Sequence, residues 1–105
     1  MIPVQQTVAL MKSIAQEILP EAKVLLFGSR ANNTATKESD WDILIITRQV
    51  TDKKTKRLLQ DALFPLSVRL ASFINITLVS ETEWNTNPSY YSLKQSIAAK
   101  SMVAQ

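Results

Sequence analysis

The chain has one glycine, Gly28, and it closes an apolar run in Leu25-Leu26-Phe27-Gly28-Ser29-Arg30. The ten residues 30–39 then lead to Asp40-Trp41-Asp42, which opens a second apolar run, Ile43-Leu44-Ile45-Ile46. Glycine suits a position where backbone must turn tightly or admit a close neighbour. Acids at i and i+2 of a strand point to the same face, about 6.5–7 Å apart along it. A turn whose backbone can meet phosphate and two carboxylates able to hold a divalent cation are thereby expected side by side. The rest of the chain reads as scaffold for that pairing.

Residues 3–19 place Val4, Val8, Met11, Ile14, Ala15 and Ile18 at helical spacing, and Pro20 stops that helix. Val24–Phe27 and Ile43–Thr47 are short β-branched or apolar runs expected as buried strands, with a polar loop or short helix over 29–39 between them. Thr51 or Asp52 caps a helix through about Leu63, and Pro65 is expected to break it. Leu66, Val68 and Leu70 alternate with polar residues as a strand would, and so do Ile74, Ile76 and Leu78. Glu81–Trp84 starts a turn or short helix, and Pro88 opens a last helix carrying Tyr90, Leu93, Ile97 and Ala98. Helices mixed with three or four strands make an α+β (α/β) domain, a small mixed sheet flanked by helices.

Composition narrows the chemistry. The 105 residues are enough for one small domain, 1–105, with one modest core. With no His and no Cys there is no imidazole base, no thiolate nucleophile and no zinc site of the usual kind. A metal site must be built from oxygen, which favours Mg²⁺, Mn²⁺ or Ca²⁺. No apolar run approaches the roughly 20 residues of a membrane span, and the N-terminus lacks signal-peptide character. The absence of cysteine is compatible with the cytoplasm. A net charge of +3 suits a polyanionic ligand without identifying one, and Lys and Arg lack the aromatic interleaving of a nucleic-acid binder. Lys53, Lys54, Lys56 and Arg57 read as a solvated helix face, with a lure for phosphate as the sharper alternative. Trp41, between the acids, and Trp84 both read as core.

Leu-Phe-Gly-Ser-Arg-Ala followed by Ser-Asp-Trp-Asp-Ile-Leu resembles the signature of the DNA polymerase β-like nucleotidyltransferase superfamily, closest to its minimal members. The resemblance extends loosely over the whole chain. It implies a nucleotidyltransferase fold and transfer of a nucleotidyl group, AMP from ATP, to a hydroxyl acceptor. Asp40 and Asp42 would ligate two Mg²⁺ (or Mn²⁺) ions about 3.5–4 Å apart. Gly28-Ser29 backbone N–H groups and the Ser29 hydroxyl would grip the triphosphate. Arg30 either adds charge there or anchors the loop. Active members carry a third acid on a later strand, but the outward positions here are Ser67, Arg69, Asn75 and Thr77, and Asn75 stands where the acid is expected. Glu38, Glu81 and Glu83 are the nearest substitutes by sequence. Asn32-Asn33 replaces a more flexible, more basic Arg-Gly. The departure leaves open a nucleotide-binding or partner-neutralising module without turnover. The resemblance also implies a small helical HEPN-domain toxin as partner, with a tyrosine of that toxin as one acceptor. A homo-oligomer is compatible with the chain.

Overall fold

In the computed structural model, which describes residues 3–31, 34–36 and 38–104, the elements run α1 (Val4–Ile18), β1 (Lys23–Phe27), β2 (Trp41–Thr47), α2 (Lys53–Leu70), β3 (Ile74–Ser80), α3 (Glu81–Thr86), α4 (Tyr91–Ala99) and β4 (Met102–Val103). The Asn32-Asn33 pair lies outside the described residues. The strands form one mixed sheet in the order β3-β2-β1-β4. β1 is antiparallel to β2 and to β4, while β2 and β3 are parallel and joined through α2. The expected mixed sheet is present; β4, only two residues long, carries no periodic signal to read.

β2 is the centre of the core. Ile43, Leu44 and Ile45 are all fully buried, so both faces of the strand are covered. One face packs on α1 through Val8, Met11 and Ala15, and on α2 through Leu59, Leu63 and Leu66, with Val24 and Leu26 of β1 in the same cluster. α1 ends where Pro20 forces Leu19 out of helical geometry (φ −127°, ψ 84°). At the far end of β2, the buried Thr47 hydroxyl and the Arg48 N–H both donate to Glu21 Oε1. That ties the start of β1 to the end of β2.

Pro65 does not break α2, and Leu66–Leu70 is not a strand: both lie inside one 18-residue helix. The expected strand positions Ser67 and Arg69 are helical for the same reason. Proline in a helix interior costs about 3 kcal/mol. Here the ring sits on the exposed side, while Leu59, Leu63 and Leu66 on either side of it are buried against one core. Each such side chain is worth about 1.5–3 kcal/mol, so burial outweighs the proline. The alternation was ambiguous because Leu66 and Leu70 also fall four apart, on one helix face, whereas Val68 points to solvent (63% exposed). The helix starts on Asp52, whose Oδ1 accepts from the Thr55 N–H at 2.7 Å. It ends on Ala71 in the left-handed region (φ 52°), with the Ser72 N–H bonded to the Ser67 carbonyl.

Trp84 is not core. It is half-buried, stacked at 5.7 Å against Tyr90 with Lys94 over its ring. The reason is that α3 and α4 bury no residue, so this aromatic pair is a local satellite. The Lys53–Arg57 cluster follows the C-terminal end of β2, a strand of seven residues (roughly 20 Å) whose other end carries the acids. It is a solvated helix face remote from them. Among the described residues no helix is long and apolar enough to cross a membrane.

Two outcomes follow. Ala71→Gly should stabilise the protein by about 1 kcal/mol, because alanine is strained at positive φ; urea denaturation reads it. The Thr47 hydroxyl outweighs the opposing effect of burial and, with smaller help from backbone N–H groups and the Arg48 charge, holds the Glu21 carboxyl below its ordinary 4.5. A depressed pKa gives stability that is present above that value and lost as pH falls through the folded one. Glu21→Gln should therefore lower the melting temperature at pH 7, and that deficit should shrink as pH falls from about 4.5 through the lower folded value.

Candidate functional site

The site is assembled by strand register. Phe27, last in β1, pairs with Asp42 of β2, so the chain leaves the sheet at Gly28 directly beside that carboxylate. Gly28 has φ +77°, and a Cβ there would lie 2.5 Å from Asp42 Oδ2. Glycine is needed twice over, for the backbone angle and for the space. The turn after it is closed by Ala31 N–H to the Gly28 carbonyl and Thr34 N–H to the Ser29 carbonyl, each 3.1 Å.

On the other side, β3 runs parallel to β2 with Asn75 opposite Asp42. The Asn75 amide nitrogen donates to Asp40 Oδ2 at 3.0 Å and to Asp42 Oδ1 at 3.1 Å. Asp40 and Asp42 thus share one side, although β2 begins only at Trp41. The amide offsets the repulsion expected between two nearby carboxylates. The Asp42 carboxylate is seated between Gly28 on one oxygen and Asn75 on the other. Trp41 points the opposite way and is 4% exposed within the core, as alternation requires.

Arg30 is spent on the loop. Its Nε and Nη2 donate to the Ser39 carbonyl at 3.1 and 2.6 Å, and Nη2 reaches the Ser72 hydroxyl at 3.3 Å. The guanidinium also stacks 4.3 Å from the Trp41 ring centroid. Of the two roles open to it, the geometry favours the anchor: it ties the Gly-Ser turn to the residue before Asp40 and to the approach to β3.

Glu81 and Glu83 lie beyond the opposite end of β3, where Glu81 faces Arg48 at 3.9 Å and Glu83 accepts from Asn87. Glu38 lines the same cleft as Asp40. Among the described residues no group of three or more acids, His or Cys is placed to hold a metal. The oxygen donors at the site are the two carboxylates, with the Asn75 amide nitrogen turned toward them. Such a set fits a hard divalent cation that takes further ligands from a phosphate.

An open cleft of about 360 Å³ adjoins Asp40, lined by Phe64, Val68 and Phe73. Phe64 and Phe73 are 65% and 76% exposed. These residues did not stand out in the sequence because only the continuous α2 helix brings 64 and 68 beside the turn before β3. A larger hollow of about 570 Å³ between α1 and β4 holds no acid and lies away from this chemistry.

A glycine turn against an Asp-X-Asp strand on a mixed sheet defines a nucleotidyltransferase domain, and the family model of that description matches residues 8–97. The chain belongs to this family. It is similar to the Probable protein adenylyltransferase MntA of Haemophilus influenzae, 35% identical over 57 residues that cover 54% of this chain and 50% of that protein. The match thus spans about half the length of that relative. Among solved structures it is similar to a toxin-antitoxin crystal structure with AMP-PNP (TM-score 0.64, 19% identity, covering 96% of this chain and 72% of that one). It is also similar to a tri-AMPylated Shewanella oneidensis HEPN toxin in complex with MNT antitoxin (TM-score 0.58, 19% identity, 95% and 71%). At these identities the structural likeness shows the fold alone, and that fold is the expected one.

Gly28→Ala should cost about 2 kcal/mol, about half from positive φ and the rest from displacing Asp42. In an Asp42→Ala background the second part should vanish, leaving about 1 kcal/mol. A double-mutant cycle by chemical denaturation measures the coupling.

Proposed function

We propose that the chain transfers a nucleotidyl group, AMP from ATP, to a hydroxyl of a partner protein. The observation that carries this is the Asp42 carboxylate seated between Gly28 and Asn75, with Asp40 clamped to the same amide. Nucleotidyl transfer asks mainly for positioning and charge neutralisation rather than covalent catalysis. No His or Cys is required for it, and none is present.

Asp40 and Asp42 would hold Mg²⁺ or Mn²⁺, which when bound neutralises phosphate charge and draws the α-phosphate into line. The Gly28 and Ser29 backbone N–H groups, with the Ser29 hydroxyl, would take the triphosphate tail. Arg30 would act by holding the loop. Because attacking and leaving oxygens lie in line, an acceptor would approach from the side away from Gly28-Ser29. The Phe64–Val68–Phe73 cleft, formed by the end of α2 and the turn before β3, adjoins Asp40 and would be open to such an acceptor.

A protein acceptor is supported by the adenylyltransferase name of the Haemophilus relative and by the AMPylated toxin bound to a neighbour of the same fold. On this reading the partner is a small helical HEPN-type protein in a toxin-antitoxin pair, and the reaction runs in the cytoplasm. A second reading is favoured by Asn75 in place of a third acid: a nucleotide-binding, partner-neutralising module with weak or no turnover. Nucleic-acid binding has little support, since the Lys53–Arg57 cluster is remote from the acids.

With labelled ATP, Mg²⁺ and the product of the neighbouring gene, wild type should label that product. Asp40→Ala and Asp42→Ala should each reduce labelling at least 100-fold, equivalent to about 2.7 kcal/mol. Equal labelling by wild type and both variants would refute the transferase reading. Tight Mg-ATP binding without labelling would favour the second one.

A further inference from the structure

We infer that Asn75 is a neutral clamp that presets the Asp40–Asp42 pair and limits this chain to one divalent cation at that pair. The inference rests on the metal-dependent reading above and refines the expectation of two ions.

The strand register puts Asn75 opposite Asp42, on the open side of the sheet where a third ligand would have to stand. Its amide nitrogen has two hydrogens, and each is given to a different acid, at 3.0 Å to Asp40 Oδ2 and 3.1 Å to Asp42 Oδ1. Ionised carboxylates only accept, so the nitrogen rather than the oxygen of the amide must face them. The amide therefore takes the bridging place in the empty pair: it gives both carboxylates a common hydrogen-bond donor and holds them together. On its other side, Asp42 Oδ2 fills the space that a side chain at residue 28 would take.

Two dications 3.5–4 Å apart repel strongly, and bridging carboxylates are what make the arrangement tolerable. Here the protein supplies two negative charges where a third carboxylate would have supplied one more. Turning the Asn75 amide over would offer only a neutral oxygen and would break both clamp bonds. Among the described residues no further acid stands close enough to complete a set of three. The first cation, chelated also by the triphosphate, is provided for. The second is not.

The test is a titration of the 105-residue chain with Mn²⁺, free Mn²⁺ being followed by electron paramagnetic resonance in the presence of saturating AMP-PNP. Wild type should bind one Mn²⁺ per chain together with the nucleotide. Asn75→Asp should bind two, the second at least tenfold tighter than any second ion on wild type. Two tight ions on wild type, or one on a folded Asn75→Asp variant, would overturn the inference. If Asn75→Asp fails to fold, Asn75→Ala decides. Having lost the clamp, it should melt lower in EDTA and gain more from Mn²⁺ than wild type does. An equal Mn²⁺ gain in both would overturn the clamp. Failure of wild type to bind any Mn²⁺–AMP-PNP would remove the proposed function itself, and this inference with it.

Discussion

The antiparallel pairing of β1 with β2 is the constraint on which the rest depends. Its register sets Phe27 against Asp42, so the chain must turn at residue 28 with a carboxylate already occupying the space a side chain would need. One residue of slippage would turn Asp42 into the core and Trp41 out of it. The two sides of β2 hold the register against that: Trp41, Ile43 and Ile45 belong to the apolar cluster shared with α1 and α2, while Asp42 stays on the open side. Burial of the strand and placement of the acid are thus one decision made by a single alternation.

The loop between the two strands is held to the same geometry by one cation. Arg30 binds the carbonyl just before Asp40 and lies over Trp41, joining the Gly-Ser turn, the entry to β2 and the approach to β3. A long polar loop would otherwise leave the two halves of the site to move independently. In the proposed reaction this matters because positioning carries most of the catalysis.

On the third side, β3 contributes an amide where active relatives are expected to carry an acid. The exchange gives an arrangement that is self-satisfied without metal: two acceptors and one two-pronged donor. On the proposed reading, a site built this way keeps its shape when empty and gives up cation charge capacity in return. That trade separates tight nucleotide capture from fast turnover, the same line that divides the two functional readings.

The sequence by itself determined the turn, the acids and the strand alternation, because those signals are local: a lone glycine, an i/i+2 pair and apolar runs whose period is two. It also determined the excluded chemistry, since residues that are absent cannot act. It misplaced 65–70, because a proline and an alternating Leu-Val-Leu are local signals for a break and a strand, while the burial of Leu63 and Leu66 against α1 and β1 that overrides them is not local. Trp84 misled for the same reason, its hydrophobicity being readable but not that its cover is a local pair, Tyr90 and Lys94, rather than the core. Only the tertiary structure decided that Asn75 reaches both acids, that Arg30 anchors the loop, and that Asp42 fills the place of the missing Gly28 side chain. Each of these joins residues far apart in the chain, and such contacts follow from strand order and register rather than from any stretch of sequence.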